Sequence, residues 1–334
     1  MSTAPAPDPR PDLSIVVCTY DRPAHLALTL KSCLAQTNAL GLAMELVVID
    51  NHPSGSAAPV CEALAGRGLP LRYVADLTRN MSVLRNRGFD EARGDWLAFI
   101  DDDEVADAGW TDALVAAARA TNADIVVGPR LASFEAGAPP AWDPTGEAFE
   151  RNLKLQNRAE VVLTTPSGKP RYGLGTGNSL FNLARCHIPG RGPMRESFGD
   201  AGGEDAELFV RLHREGRRIV WAADARVTET VPVHRTTSEY RLLRIRRETQ
   251  HYVSICLDAA RSRRLTWIVL MLKGIVQTVA GFTLALLTAE FGSRKRLRGR
   301  VLMTHGIAKL NWRSTVGYIE EPVVKAFVTK GINS

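Results

Sequence analysis

Trp96-Leu97-Ala98-Phe99-Ile100 runs directly into Asp101-Asp102-Asp103-Glu104. A short unbroken apolar run of this kind reads as a strand buried on both faces, which puts the acids at its carboxyl end. Carboxylates crowded so closely repel one another unless a cation sits among them. A hard divalent ion held by oxygen ligands, and shared with a substrate phosphate, answers that repulsion. The competing reading is a polar turn whose acids cap a helix beginning near Ala108-Gly109-Trp110.

Outward from this run the same alternation repeats. Ser14-Ile15-Val16-Val17-Cys18-Thr19-Tyr20 reads as a buried strand, followed by a helical pattern from Pro23 through Leu26, Leu30 and Leu34. Glu45 to Asp50 is a second strand, with a helix around Val60, Ala63 and Leu64 after it. A strand near Leu71 to Val74, a helix from about Ser82 to Ala92, a helix from about Ala113 to Ala120 and the strand Asp124 to Val127 complete the series. Strands alternating with helices imply an α/β fold with a mostly parallel, Rossmann-like sheet flanked by helices. Right-handed crossovers then bring every strand's carboxyl end to one edge, where open α/β sheets bind ligands. Tyr20-Asp21, Asp50-Asn51 and the acid run all fall there. No Gly-x-Gly-x-x-Gly follows the first strand and no Walker loop occurs, so a nucleotide would have to be held by acids and an arginine.

The 334 residues suffice for one large domain with an appendage, or for two domains. Cys18, Cys33, Cys61, Cys186 and Cys256 are scattered, with no metal spacing, which points to a reducing compartment and away from zinc. Residues 1–12, rich in Pro and Ala, read as a disordered leader rather than a secretory signal, which keeps the catalytic part in the cytoplasm. From about Phe134 to Tyr172 the chain is irregular and broken by Pro139, Pro140, Pro144, Pro166 and Pro170, as a lid or binding loop would be. Gly173 to Asn178 then leads into Leu180-Phe181. A helix starts at Gly203-Glu204-Asp205 and stops at Gly216, Ile219 to Trp221 is extended, and an arginine-rich helix runs from Ser238 to about Ala260.

The net charge of +6 is uneven, because basic residues cluster after Arg211, notably Arg294, Lys295, Arg296, Arg298 and Arg300. Charge alone does not choose between an anionic membrane surface and nucleic acid. Segment 265–291, whose most apolar part is 267–289, is long enough to span a bilayer. Lys273, Gln277, Gly281 and Thr288 fall roughly on one face and both flanks are basic, the pattern of a helix lying in the interface. Spanning would place one basic flank outside, and a buried core helix is the third possibility. Membrane contact from the cytoplasmic side is the reading favoured here, without nucleic acid.

Five segments together resemble family 2 glycosyltransferases with the GT-A fold: Ile15 to Arg22, Leu46 to Asn51, Ser82 to Gly88, Phe99 to Glu104, and Gly202 to Asp205. They divide the chain into the leader, a GT-A domain over 13–235 and a helical basic C-terminal region over 236–334. The resemblance implies that Thr19, Tyr20 and Asp21 line the nucleotide pocket, that Asp50 accepts a hydrogen bond from the base, and that Arg85 meets the diphosphate. Read alone, Asp50 is a capping acid and Arg85 a solvated helix arginine. Asp101 and Asp103 match the family's DxD pair, with Asp103 the metal ligand, Asp101 on sugar or ribose hydroxyls, and Asp102 a weaker nucleotide-sugar residue. Asp205 matches the catalytic base of inverting enzymes, which takes the acceptor hydroxyl's proton, and Glu204 is its neighbour on the acceptor side. Gly177 and Asn178 resemble the segment ahead of the acceptor site, and His234 resembles a metal or diphosphate contact.

The implied activity is an inverting transferase using Mg²⁺ or Mn²⁺ to move a single sugar from a nucleotide-diphosphate donor to a glycan acceptor, lipid-linked, at the cytoplasmic face of the inner membrane. Surface polysaccharide synthesis in a bacterium fits this. The several hydrophobic spans and Gln-x-x-Arg-Trp motif of processive relatives are not found. A nucleotidyltransferase and an inert membrane-binding scaffold are the alternatives.

Overall fold

The structure, a computed structural model, describes residues 10–165, 170–171, 173–199, 202–288 and 293–315. In chain order it contains β1 (Leu13–Thr19), α1 (Pro23–Leu34), β2 (Met44–Asp50), α2 (Ala58–Leu64), β3 (Leu71–Ala75), α3 (Met81–Glu91), β4 (Trp96–Phe99), β5 (Glu104–Ala106), α4 (Trp110–Thr121), β6 (Ile125–Val127) and β7 (Arg130–Phe134). After a long irregular stretch come β8 (Ser179–Asn182), α5 (Leu183–Cys186), α6 (Glu204–Arg214), β9 (Ile219–Trp221), β10 (Val227–Val231), α7 (Ser238–Asp258), α8 (Arg263–Leu287) and α9 (Ser293–Leu310).

The main sheet has the order β3-β2-β1-β4-β8-β6-β9. Its strands are parallel except β8, which runs antiparallel to both β4 and β6. That corrects the expectation that every carboxyl end shares one edge: Asn178 enters β8 from that edge, so the amino end of β8 lies there. Alternate residues feed two cores. Ile15, Val17, Leu46 and Val48 face α1, α2 and α4, whereas Val16, Val47, Leu97 and Phe99 pack on Leu84, Phe89, Leu208 and Phe209 of α3 and α6. Both faces are therefore covered, as continuous apolar strands require.

A second, three-stranded sheet, β5-β10-β7, was not foreseen. Its first strand begins at Glu104, so the four acids are divided between the turn after β4 and the start of β5. Residues 10–12 were expected within a disordered leader and are instead ordered. Asp12 donates its backbone N–H to Ala43 at 2.7 Å and Arg10 pairs with Asp95 at 2.9 Å, so residues 10–12 are tied to the sheet, while 1–9 lie outside the described residues.

The irregular stretch is as expected over its described part, and Trp142 Nε1 anchors it by donating to the Thr236 carbonyl at 2.7 Å. Beyond the two sheets, α9 packs between α7 and α8. Gly299 lies against the Ala285 backbone and Gly306 against Thr278, so α8 and α9 run antiparallel in close backbone contact. By length and composition α8 could cross a membrane, and 17% of its most apolar window is buried. Residues 289–291 of the expected apolar segment lie outside the described residues.

Candidate active site

The acids after β4 are held by neighbouring elements. Thr19 closes β1, and its Oγ1 donates to Asp102 Oδ2 at 2.7 Å. Arg22, at the start of α1, donates through Nη1 to Asp102 at 3.1 Å and Asp103 at 2.9 Å. Arg235, in the short turn after β10, lies 3.6 Å from Asp103 and 3.3 Å from Glu229, which also pairs with Arg130 at 3.0 Å. Burial raises the Asp103 pKa to about 7, with Glu229, Asp101 and Asp102 adding to the rise and Arg22 opposing it. Burial likewise raises Asp102, against Arg22 and Thr19.

Asp101 is the most open of the four acids, with its side chain 39% exposed. Its backbone N–H donates to Glu104 Oε2 at 3.0 Å, and the other Glu104 oxygen is buried without a hydrogen bond among the described residues. Gly177 closes over both. A Cβ there would collide with Asp101 Oδ2 and come within 3.0 Å of Glu104 Oε1. Glycine is thus required first by the protein's own carboxylates.

Asn178, expected on the acceptor side, is fully buried. Its side chain accepts from Trp110 Nε1 at 2.8 Å and donates to the Pro129 and Ala225 carbonyls at 2.8 Å each. With φ at +54°, a conformation asparagine tolerates better than most residues, it is a clamp holding the turn into β8, and offers no surface to an acceptor. Arg151, from the irregular stretch, braces the same turn by donating to the carbonyls of Gly128, Gly175, Gly177 and Asn178.

Opposite Asp101 stands the start of α6. Arg85 of α3 is buried and donates through Nη1 to Asp205 at 2.7 Å and to Glu204, while its Nη2 lies 3.8 Å from Asp101. The expected contact with a diphosphate is therefore not where this guanidinium is committed, and neither is it a solvated helix arginine: three carboxylates already surround it. Thr176 Oγ1 also donates to Asp205, at 3.1 Å. Burial raises the pKa of Asp205, opposed by Arg85, and that of Glu204 to about 7, with Asp205 adding to the rise. Of the two, Asp205 is the more open, with its side chain 20% exposed against 7% for Glu204.

The nucleotide side is mixed. Tyr20 is exposed and meets His52 edge-on at 4.9 Å, and the Asp21 side chain is exposed beside it. Asp50 is fully buried. It accepts from the His52 and Ala57 N–H groups at 2.9 Å each and from the Tyr73 hydroxyl at 3.2 Å, so its carboxylate serves as a cap for the turn leading to α2. Nothing of it is open to a base in this arrangement.

Asp101 and Asp103 supply two carboxylates at one turn, a donor set that suits Mg²⁺ or Mn²⁺ completed by substrate phosphates and water. The crowding that lifts Asp103 is of the sign a cation relieves. His234 does not complete a three-ligand site with them: its ring is exposed, 6.1 Å from that of Tyr240, and among the described residues no three His, Cys, Asp or Glu gather as metal ligands. Its neighbour Arg235 points to Asp103 instead. Arg22, Arg151, Thr176, Glu229 and Arg235 were given no role from the sequence, and Glu104 only a place among the four crowded acids. Arg22 had a signal, being next to Asp21 at the strand end, whereas Arg151 sits in an aperiodic stretch with none.

Residues 14–170 match the family model described as Glycosyl transferase family 2. The succinoglycan biosynthesis protein ExoM of Rhizobium meliloti is 32% identical over 256 residues, which cover 76% of this chain and 78% of ExoM. The chain belongs to glycosyltransferase family 2. The O-antigen biosynthesis protein RfbC of Myxococcus xanthus is 30% identical over 227 residues, 65% of this chain and 17% of that protein. Among solved structures, TarS of S. aureus in complex with UDP-GlcNAc covers 90% of this chain and 91% of its own at 14% identity, with a TM-score of 0.55. That likeness is one of fold, and it identifies the sheet with its flanking helices as GT-A.

Proposed function

We propose that this family 2 enzyme is an inverting transferase that moves a single sugar from a nucleotide-diphosphate donor to a lipid-linked glycan acceptor, during synthesis of a bacterial surface polysaccharide. The observation that carries the reading is the line Asp101–Arg85–Asp205. An exposed acid at the end of β4 and a candidate base at the start of α6 face one cleft, joined by a buried guanidinium. Asp205 takes the proton from the acceptor hydroxyl as it attacks the anomeric carbon from the side opposite the leaving diphosphate. Arg85 and Thr176 fix its direction, and Arg85 also favours its ionised form against burial. Glu204, with the same guanidinium but less exposure, is the second choice for the base.

On the donor side, Tyr20 offers an exposed ring to the base, and Asp21 and Asp101 are open to ribose or sugar hydroxyls. Thr19, Asp102 and Asp50 support these positions from behind. Mg²⁺ or Mn²⁺, held by Asp101 and Asp103, would stabilise the charge that develops on the diphosphate. The names of the relatives support polysaccharide synthesis, and TarS, solved with UDP and with UDP-GlcNAc, supports a nucleotide-sugar donor. The outward-facing apolar side chains of α8 and the basic start of α9 support attachment at the cytoplasmic face of the inner membrane.

The test is a panel of nucleotide sugars screened by thermal shift with Mn²⁺, followed by transfer to a synthetic lipid-linked acceptor. One donor should raise the melting temperature by mass action, the product should carry the opposite anomeric configuration, and EDTA should stop the reaction. Release of pyrophosphate from a nucleoside triphosphate and a sugar phosphate would favour a nucleotidyltransferase instead.

A further inference from the structure

The α7–α9 layer holds ammonium groups that no described carboxylate meets. Lys309 of α9 is 7% exposed, and its Nζ donates to the His305 carbonyl of its own helix at 3.3 Å. Burial lowers its pKa, and Lys273, an exposed lysine on α8, lowers it further. The helices are in contact there: a Cβ on Gly274 would lie 3.1 Å from the Gly306 carbonyl and 3.2 Å from Leu310 Cγ. Among the described residues neither lysine makes an ion pair. One turn beyond Lys273, Gln277 has a buried Oε1 without a hydrogen-bond partner among those residues. Beside Lys273 a cavity of about 150 Å³ opens between α7 and α8, with Leu265, Val269 and Leu270 on one wall and Tyr252 and Cys256 on the other.

A buried ammonium without a counter-charge is unfavourable, and ionisable groups inside a membrane-contacting helix layer mark sites rather than packing. Apolar walls next to paired cations describe a ligand with an anionic head and a hydrocarbon chain. We propose that Lys273 and Lys309 bind the phosphate of a membrane amphiphile, whose chain enters the cavity between α7 and α8. This rests on the membrane reading of the C-terminal region. An anionic phospholipid and the phosphate of a prenyl lipid carrier share this chemistry. The position is also suggestive for the cleft. His251, on another side of α7, lies against Gly203 immediately before Glu204, while Thr249 contacts His305 at 2.7 Å and Gln250 donates to the Asn311 carbonyl at 2.8 Å. α7 thus touches both the turn before α6 and the helix that carries Lys309.

The full chain in uncharged maltoside micelles, titrated calorimetrically with dodecyl phosphate, should bind it saturably. Lys273→Gln/Lys309→Gln should weaken binding at least tenfold, while reversing Arg296, Arg298 and Arg300 to Glu should leave it unchanged, because those residues lie at the other end of α9. Equal binding by the double-Gln variant, or free inorganic phosphate binding as tightly as dodecyl phosphate, overturns the proposal. Should the double-Gln variant lose its cooperative melt, Lys273→Arg/Lys309→Arg carries the test: it should bind as wild type does, and loss of binding in a folded Arg variant overturns the proposal as well. Repeating the titration with phosphatidylglycerol and with a prenyl phosphate, each in the same micelles, separates the two sources by which binds more tightly. Wild-type protein that floats with vesicles but ignores dodecyl phosphate refutes this site alone. Protein that does not float refutes the membrane reading.

Discussion

The cleft and the C-terminal helical layer treat charge in opposite ways. In the cleft, Asp102 and Asp103 meet Arg22, Asp103 and Glu229 share Arg235, and Glu204 and Asp205 share Arg85. In the layer, Lys273 and Lys309 stand near each other without an acid among the described residues, and Trp267, Leu272, Val276, Val279 and Phe282 of α8 face outward. The site pairs most of its acids with arginines, yet Asp103 stays crowded by Glu229, Asp101 and Asp102, an excess of negative charge that a cation would relieve. The helical layer pairs some of its arginines, as Arg244 with Glu248 and Arg300 with Glu239, but leaves Lys309 buried without an acid among the described residues and much apolar surface of α8 exposed.

Replacing Asp205 by Asn tests whether the cleft is catalytic. Transfer should fall by roughly two to four orders of magnitude, as loss of a general base does, with donor affinity by calorimetry unchanged. Wild-type turnover in this variant would move the role to Glu204. Arg85→Ala attacks the same network through its cation. It leaves Glu204 and Asp205 side by side without their cation in a largely buried place and should cost about 3–5 kcal/mol of stability, read by urea denaturation. A loss below 1 kcal/mol would mean that water already screens these acids.

The layer is tested at its tip. Changing Arg296, Arg298 and Arg300 to Glu should weaken binding to anionic vesicles by more than the approximately 1 kcal/mol per basic residue that comes from losing each cation, since each reversal also adds repulsion. Flotation assays would show it, and transfer to a short soluble acceptor should survive. Binding that is unaffected by charge and resists alkaline carbonate would point to a span. Gly281→Leu sharpens the distinction between regions: its side chain would enter the backbone of α9 at Met303. Overpacking of this kind costs about 1–3 kcal/mol, and hydrogen exchange should increase in α8 and α9 while the main sheet stays protected.

The smallest effect is on pH. Burial raises Asp205 and brings Glu204 to about 7, and the base must be ionised to act. The acid limb of kcat/KM should therefore lie above the ordinary carboxylate range, with activity falling as pH drops through it. The stability of the donor-free protein has the opposite sign. Acids whose pKa is raised by folding hold more protons folded than unfolded, so their contribution to stability is greatest below the unfolded value near 4.5 and declines toward pH 7. Burial lowers the pKa of His187, His213 and His305, which act in the opposite sense, so the check is a difference: the melting temperature of wild type relative to Glu204→Gln should fall from pH 5 to 7, and an unchanged difference would contradict this account of the cleft.

Local pattern carried the α/β alternation, the strand ending at the acids, and the helix starting at Glu204, because apolar runs, Pro23 at a helix start and Gly216 at a helix end act within a few residues. The five-segment resemblance likewise lay in contiguous residues. Pattern did not disclose the reversal of β8 or the β5-β10-β7 sheet, since strand direction and pairing are decided between segments far apart in the chain, from Val127 with Ser179 to Glu104 with Glu229.

From the sequence alone came the acids, their place at a strand end and the apolar character of α8. Only tertiary structure decided what those residues touch. Arg85 was expected at a diphosphate and is bound to Asp205 and Glu204, because folding brings α3 against α6 and a buried guanidinium takes the nearest carboxylates. Asn178 was expected at an acceptor and is enclosed by Trp110, Pro129 and Ala225, and Asp50 was expected at a base and caps its own turn. In each case residue type was legible and partner was not, because hydrogen bonds are settled by whichever groups burial leaves within about 3 Å.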